Sequence, residues 1–183
     1  MRHSLKPHAD YPCAALRSLE VEVERYASGK VTLLYMATGA IDKLVIPAPA
    51  PPVRADELWK HTCFEAFARH PEAENYTEFN FAPSGAWAAY RFARRRSGMG
   101  NLNNVPEPKA VFKASDTRLE LAVTLDLSKV AELPLATPWR AGITAIIEEM
   151  SGAKSYWALA HPQGNPDFHH ADSFALDLPV TRT

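Results

Sequence analysis

Apolar and polar positions alternate with a period of two along much of the chain. Leu19 to Tyr26 reads Leu-Glu-Val-Glu-Val-Glu-Arg-Tyr, the pattern of a strand with one wet face. Ser28-Gly29 then turns the chain, and Lys30 to Thr38 follows as a run rich in branched and aromatic residues. The two are predicted to form a hairpin. Tyr76 to Phe81 alternates Thr77, Phe79 and Phe81 against Tyr76, Glu78 and Asn80, and Pro83-Ser84-Gly85 ends it with turn chemistry. Ala86 to Phe92 is its expected hairpin partner. Arg118 to Asp126 is the cleanest alternating run, and Gly142 to Glu149, Ser155 to Ala160 and Ser173 to Leu178 supply the last ones. Two segments fit either period: Asp56 to His70, helix-forming in composition and closed by Pro71, and Ala141 to Met150. The sum is an all-β, antiparallel β-sandwich, jelly-roll-like, with roughly nine to twelve strands.

Composition narrows this further. The chain has 183 residues, 46% hydrophobic and 22% charged, which suits one domain able to fold without disulfide or metal. The expected division is an N-terminal extension over residues 1–14 and a sandwich domain over 15–183. Twenty basic residues against 21 acidic ones give a charge of -1, which argues against nucleic acid or an anionic membrane as partner. No apolar run reaches the roughly 18 residues a membrane-spanning helix needs. The first residues, Met1-Arg2-His3-Ser4-Leu5-Lys6-Pro7-His8, lack the apolar stretch of a secretory signal, so a cytoplasmic location is expected. Cys13 and Cys63 are too few for a disulfide scaffold. Fifteen prolines against 8 glycines disfavour an all-helical fold, and they fall mostly between the predicted strands. Nothing in the pattern indicates an oligomeric state.

Residues 58 to 90 are more specific than any periodicity. Leu58-Trp59-Lys60-His61-Thr62-Cys63-Phe64-Glu65-Ala66-Phe67 and Tyr76-Thr77-Glu78-Phe79-Asn80-Phe81-Ala82-Pro83-Ser84-Gly85-Ala86-Trp87-Ala88-Ala89-Tyr90 resemble the bacterial DOMON-like proteins, which are related to the family 9 carbohydrate-binding modules. Ser155-Tyr156-Trp157-Ala158-Leu159-Ala160-His161-Pro162 and Pro166-Asp167-Phe168-His169-His170 are similar to the same family. With the strands between them, these stretches cover the chain from about residue 15 onward. The resemblance implies a β-sandwich and makes Trp59 to Ala68 a strand rather than a helix. Members of the wider group bind carbohydrate or haem and are mostly secreted; the missing export signal is a departure.

If Trp59 to Phe67 is a strand, His61, Cys63 and Glu65 share one face. Glu78 and Asn80 share a face of the next strand, and Trp87, Ala89 and Arg91 a face of the one after. A surface carrying His61, Glu65, Glu78, Asn80 and Arg91 offers acceptors, an amide and a forked donor to one small polar ligand, a sugar being the natural candidate. The alternative is a solvated sheet face with ordinary cross-strand ion pairs. Trp157 is the expected stacking platform; its alternative role is in the core. His161, Asp167, His169 and His170 lie in a loop shaped by Pro162, Gly164 and Pro166. His161 and His169 are expected to close the pocket, and the four residues are weak candidates for a divalent metal site.

No cofactor is expected. Haem b is the alternative, with Met36, Met99 or Met150 and His161 or His169 as axial ligands. Arg94-Arg95-Arg96 is the one local basic run, able to receive a phosphate or carboxylate but in most proteins merely solvated. No nucleophile elbow, phosphate loop or dinucleotide motif occurs. Glu65 and Glu78 would serve glycoside chemistry only at about 5–9.5 Å separation. The leading reading is therefore non-catalytic binding of a small carbohydrate-like ligand. A haem- or metal-dependent redox domain and a protein-interaction module are the alternatives.

Overall fold

The alternating pattern is realised as twelve β-strands, with no α-helix among residues 2–180, which the computed structural model describes. In chain order these are β1 (Arg2–Pro7), β2 (Leu16–Arg25), β3 (Lys30–Gly39), β4 (Cys63–Arg69), β5 (Tyr76–Phe81), β6 (Trp87–Phe92), β7 (Gly100–Asn101), β8 (Lys109–Ala114), β9 (Arg118–Asp126), β10 (Trp139–Glu148), β11 (Lys154–Ala158) and β12 (Leu176–Leu178). All pairings between these strands are antiparallel. A first sheet runs β1-β2-β3-β9-β8 and a second runs β7-β6-β5-β4-β10-β11, with β12 also paired to β10. The antiparallel sandwich read from the sequence is therefore the fold.

One strand belongs to both layers. Arg2 to Leu5 pair with Leu19 to Glu22 of β2, while Lys6 and Pro7 pair with Ala158 and Trp157 of β11. Residues 1–14, expected as an extension outside the domain, thus carry the segment that closes the two sheets into one curled surface. Proline suits this handover: it has no N–H to donate to a ladder and fixes its own φ.

Side chains alternate across each strand, so each sheet sends every second residue inward. Leu19, Val21, Leu33, Tyr35, Leu121 and Val123 of the first sheet meet Phe64, Ala66, Phe79, Phe81, Ile143 and Trp157 of the second, all buried in one apolar cluster. At one end Arg25 lies over the Trp139 ring at 3.5 Å and donates to the carbonyls of Leu135, Thr137 and Leu178 at 2.8, 2.9 and 3.1 Å. These bonds tie the end of β2 to β12 and to the loop before β10. Both cysteines are free thiols.

Of the two segments that fit either period, Asp56 to His70 carries β4 and Ala141 to Met150 lies mostly in β10. Asp56 to His70 is not helical, despite its composition, because β4 is buried on both sides and its N–H and C=O groups find partners in β5 and β10. Nor is Trp59 the start of that strand: Leu58–Lys60 forms a 3-10 turn, and the strand begins at Cys63.

Removal of residues 1–14 tests the closing role of β1. The truncated chain exposes the edges of β2 and β11, and its thermal midpoint is expected to fall by about 10 °C or more, or cooperative unfolding to be lost. An unchanged midpoint by differential scanning calorimetry would show that the segment is an appendage after all.

Candidate functional site

The second sheet is unusual in having its outer face covered as well. Phe67 on β4, Tyr76 on β5, Tyr90 and Phe92 on β6, and Ile146 on β10 all point away from the first sheet, yet they are buried in a second cluster with Phe168 and Phe174. The cover is the loop between β11 and β12. It folds through side-chain bonds that its own sequence supplies. Asp167 accepts from the His169 N–H at 3.1 Å, the Ser173 hydroxyl donates to the Asp167 carbonyl at 2.9 Å, and the His170 ring caps the 3-10 turn at Ala171–Ser173. Gly142 on β10 makes room for that turn: a Cβ there would stand 2.9 Å from the Ser173 carbonyl oxygen.

Between this loop, the β6–β7 connection and the Leu58–Lys60 turn, the cover leaves a cavity of about 360 Å³. That lies within the range of roughly 300–1,000 Å³ usual for small-molecule sites. Glu65 and Glu78 line it beside Trp59, Phe92, Tyr156 and Phe168, with Arg96, Met99 and His169 at its sides. Register explains the pairing of polar groups. The tight turn pairs Ala82 with Ala86, so Phe81 faces Trp87 and Glu78 faces Tyr90. Across the other edge of β5, Asn80 stands opposite Glu65, and beyond it Glu65 stands opposite Thr144 of β10.

The hydrogen bonds then fix the acceptors. The Asn80 amide donates to Glu78 Oε1 at 2.8 Å, and the Thr144 hydroxyl donates to Glu65 Oε2 at 3.0 Å. Asn80 Oδ1 is buried without a partner. Tyr76 Oη accepts the Arg96 N–H at 3.2 Å and lies 2.7 Å from His169 Nδ1. With its own proton given to Nδ1, the histidine is left as the Nε2–H tautomer, and Nε2 is 3.9 Å from Glu78 Oε2. That gap is too long for a direct hydrogen bond. Arg96, in the left-handed backbone region at φ 53°, donates through Nε to Asp167 Oδ1 at 3.1 Å, and Arg95 pairs with the other oxygen of the same carboxylate.

Burial governs the charge states. It raises Glu65 well above the ordinary carboxyl range, and repulsion from Glu78 adds to the effect; the Thr144 hydrogen bond and Arg96 act the other way. Glu78 is pushed up to about 7 by burial, against the opposing influence of Asn80 and Arg96. His169 is lowered to about 4 by burial and by Arg96, so its ring is neutral at neutral pH. Tyr76 is raised to about 12, again chiefly by burial. The floor is thus a pair of carboxyls of which at least one holds a proton near neutrality, flanked by the neutral His169 ring, the Arg96 guanidinium and aromatic walls.

The structure brings together Glu65, Glu78, Asn80 and His169 from the residues chosen on sequence. It separates the others. Arg91 faces Thr77, so it lies on the opposite side of the sheet from Glu78 and is exposed. Trp157 is in the core, 3% exposed, with its indole N–H on the Ser155 hydroxyl at 3.0 Å. Its neighbour Tyr156 takes the pocket side. His61 precedes β4, is exposed, and lies 2.7 Å from Glu148 Oε2 through Nδ1. His161 points to the β1 end, its Nε2 2.8 Å from the Lys6 carbonyl. Asp167 serves two arginines and His170 caps a turn, so the four loop residues do not converge; among the described residues no three His, Cys, Asp or Glu side chains are grouped to hold a metal. Of the methionines considered for haem, Met99 lines the pocket, Met36 is in the core and Met150 is exposed.

Sequence reasoning missed Tyr76, Phe92, Tyr156, Phe168 and Thr144 as site residues and undervalued Arg96. The shared face of Tyr76 with Glu78 and Asn80 was a usable signal.

No protein-family model matches the sequence, and no curated protein matches it. Among solved structures, a proposed carbohydrate-binding protein from Bacteroides uniformis is similar with a TM-score of 0.64 at 14% identity, over 94% of this chain and 83% of that one. A family 9 carbohydrate-binding module from Caldicellulosiruptor kristjanssonii, in complex with glucose, is similar with a TM-score of 0.57 at 8% identity, over 91% of this chain and 78% of that one. At such identities the likeness establishes a shared β-sandwich fold.

The site should leave its mark on stability. The native state keeps a proton on Glu78 that the unfolded chain releases above about 4.5, so this contribution is full below 4.5 and is lost as pH rises through about 7. His169 acts in the opposite sense: its contribution is present above 6.5 and is lost as pH falls through about 4. In Glu78→Gln the Asn80 bond has an acceptor still, and the carboxyl titration is gone. The variant is expected to gain on the order of 3 kcal/mol relative to wild type between pH 5 and pH 8, measured by urea unfolding. A difference that stays constant with pH would contradict the assignment.

Proposed function

We propose that the protein binds a small, neutral, polyhydroxylated ligand, a mono- or disaccharide, in the outer-face pocket without transforming it. The observation that carries this reading is the polar floor of Glu65 and Glu78, the second held by Asn80, set inside the aromatic walls of Trp59, Phe92, Tyr156 and Phe168. A sugar ring has hydroxyl groups around its rim and C–H groups on its faces. Carboxyl oxygens serve the rim, and aromatic rings serve the faces.

Within this reading each side chain has a role. Glu78 accepts ligand hydroxyls and is held in place from behind by the buried Asn80 amide. Glu65, held by Thr144, supplies an acceptor in either charge state and a donor when protonated. His169 Nε2–H and the Arg96 guanidinium are donors at the side. A ligand hydroxyl placed in the 3.9 Å gap between His169 and Glu78 would accept from one and donate to the other. The shared fold with a family 9 module that holds glucose supports the choice of ligand class.

Isothermal titration calorimetry against a panel of hexoses and disaccharides tests this. At least one saccharide is expected to bind, and Glu78→Gln should weaken it by about tenfold or more, the loss of a charge-assisted hydrogen bond. Arg91→Ala and Trp157→Phe should leave its affinity unchanged, since both residues lie off the pocket. Binding that survives Glu78→Gln but is lost with Arg91→Ala would place the site on the other face.

Affinity should also depend on pH. Because a carboxylate accepts hydroxyl protons more strongly than a carboxylic acid, binding is expected to tighten as pH rises from 5.5 to 8 through the Glu78 titration near 7. A flat profile in wild type, or the same slope in Glu78→Gln, would contradict the role given to Glu78.

A further inference from the structure

A second cavity, of about 350 Å³, shares His169 with the first and has a different chemistry. Three arginines, Arg69, Arg94 and Arg95, line it against one acidic residue, Glu74. Arg69 is the last residue of β4, and it faces Arg140 in the register of β4 with β10. Its Nη1 donates to the Ala73 carbonyl at 2.7 Å and its guanidinium carbon sits 4.9 Å from the centre of the Phe174 ring. Its Nε is buried with no hydrogen-bond partner.

Neither Arg69 nor Arg94 makes an ion pair among the described residues. Arg140 is already committed to Asp177 at 3.2 Å and to the Phe174 carbonyl at 3.0 Å. Arg95 has Asp167, but that single carboxylate also serves Arg96. The cavity therefore concentrates positive charge that its own lining does not neutralise. A half-buried guanidinium without a counter-ion is costly to keep. An oxyanion supplied from outside would remove that cost, and the planar fork of arginine matches phosphate oxygens in pairs.

We propose that this second cavity is a phosphate-binding site, with Arg69 and Arg94 as its principal ligands and Arg95, held in place by Asp167, beside them. The basic run Arg94-Arg95-Arg96 is thereby divided between two tasks. Arg96 turns toward the carboxyl pocket, while Arg94 and Arg95 face the second cavity. The phosphate is either free or a group carried by a sugar seated in the neighbouring pocket.

The test is calorimetry of the full chain with inorganic phosphate at pH 7.5, in buffer whose ionic strength is held constant with sodium chloride. Wild type is expected to bind with a stoichiometry of about one, and Arg94→Ala, an exposed substitution, to weaken binding about tenfold or more. Arg69→Lys keeps the charge but removes the fork, and should weaken it to a similar degree. Glu78→Gln should bind phosphate as wild type does, so this result does not depend on whether any saccharide binds. Absence of heat beyond the chloride control, or binding unaltered in both arginine variants, would overturn the proposal. A second titration with a hexose 6-phosphate separates the sources: binding weakened by both Arg94→Ala and Glu78→Gln assigns the group to the sugar, and binding weakened by Arg94→Ala alone assigns the site to free phosphate.

Discussion

Two carboxyl groups buried on neighbouring strands are the constraint around which the outer face of the second sheet is arranged. Glu65 and Glu78 cannot both be ionised there without strong repulsion, and neither could remain in an apolar layer without hydrogen-bond partners. Thr144, Asn80 and Arg96 each moderate one part of this cost. Because Arg96 must sit over the pair, its own position is fixed by Asp167, and Asp167 in turn organises the loop that encloses the pocket. The enclosing loop and the carboxyls it covers thus depend on the same few contacts.

The sandwich makes this possible by covering β4, β5, β6 and β10 on both faces. Their inner side chains pack against the first sheet, and their outer ones pack under the β11–β12 loop. A sheet with a solvated outer face would leave carboxyls hydrated and their protons freely exchangeable near pH 4.5. Covering it excludes water, strengthens each remaining polar contact, and leaves one cavity in which those contacts converge. The neighbouring cationic cavity is reached by the same loop from its other side. His169 lines both cavities, and Tyr76, bonded to it, lines the second.

Much of the sandwich was legible in the sequence because period-two alternation is imposed by burying one face against a partner sheet. Arg118–Asp126 and Tyr76–Phe81 were read to their exact bounds as strands for that reason. β1 and β8 were not read at all, since Leu5 is the single buried residue of the first and no residue of the second is fully buried. The misplacement of Arg91 has another cause. Alternation divides each strand into two faces but does not say which faces coincide, and that was decided by the Ala82–Ala86 pairing in the turn. Trp157 failed differently. With both faces of β11 covered, Tyr156 and Trp157 are equally compatible with either side, and only the pairing of Ala145 with Trp157 sends the indole to the core. The loop residues were recognised as dense in imidazole and carboxylate, yet their separate engagements with Tyr76, Lys6 and the arginines are contacts between distant segments that no local pattern encodes.

The central claim is that a buried, mutually perturbed carboxyl pair forms the floor of a ligand pocket. Carbon-13 NMR of the glutamate side-chain carboxyls across pH 4 to 9, assigned through Glu65→Gln and Glu78→Gln, reads this directly. The Glu78 resonance is expected to titrate near pH 7, the Glu65 resonance to remain in its protonated position beyond the ordinary carboxyl range, and both to shift when a bound saccharide is added. Two resonances titrating together near 4.5 and indifferent to every saccharide would contradict the account.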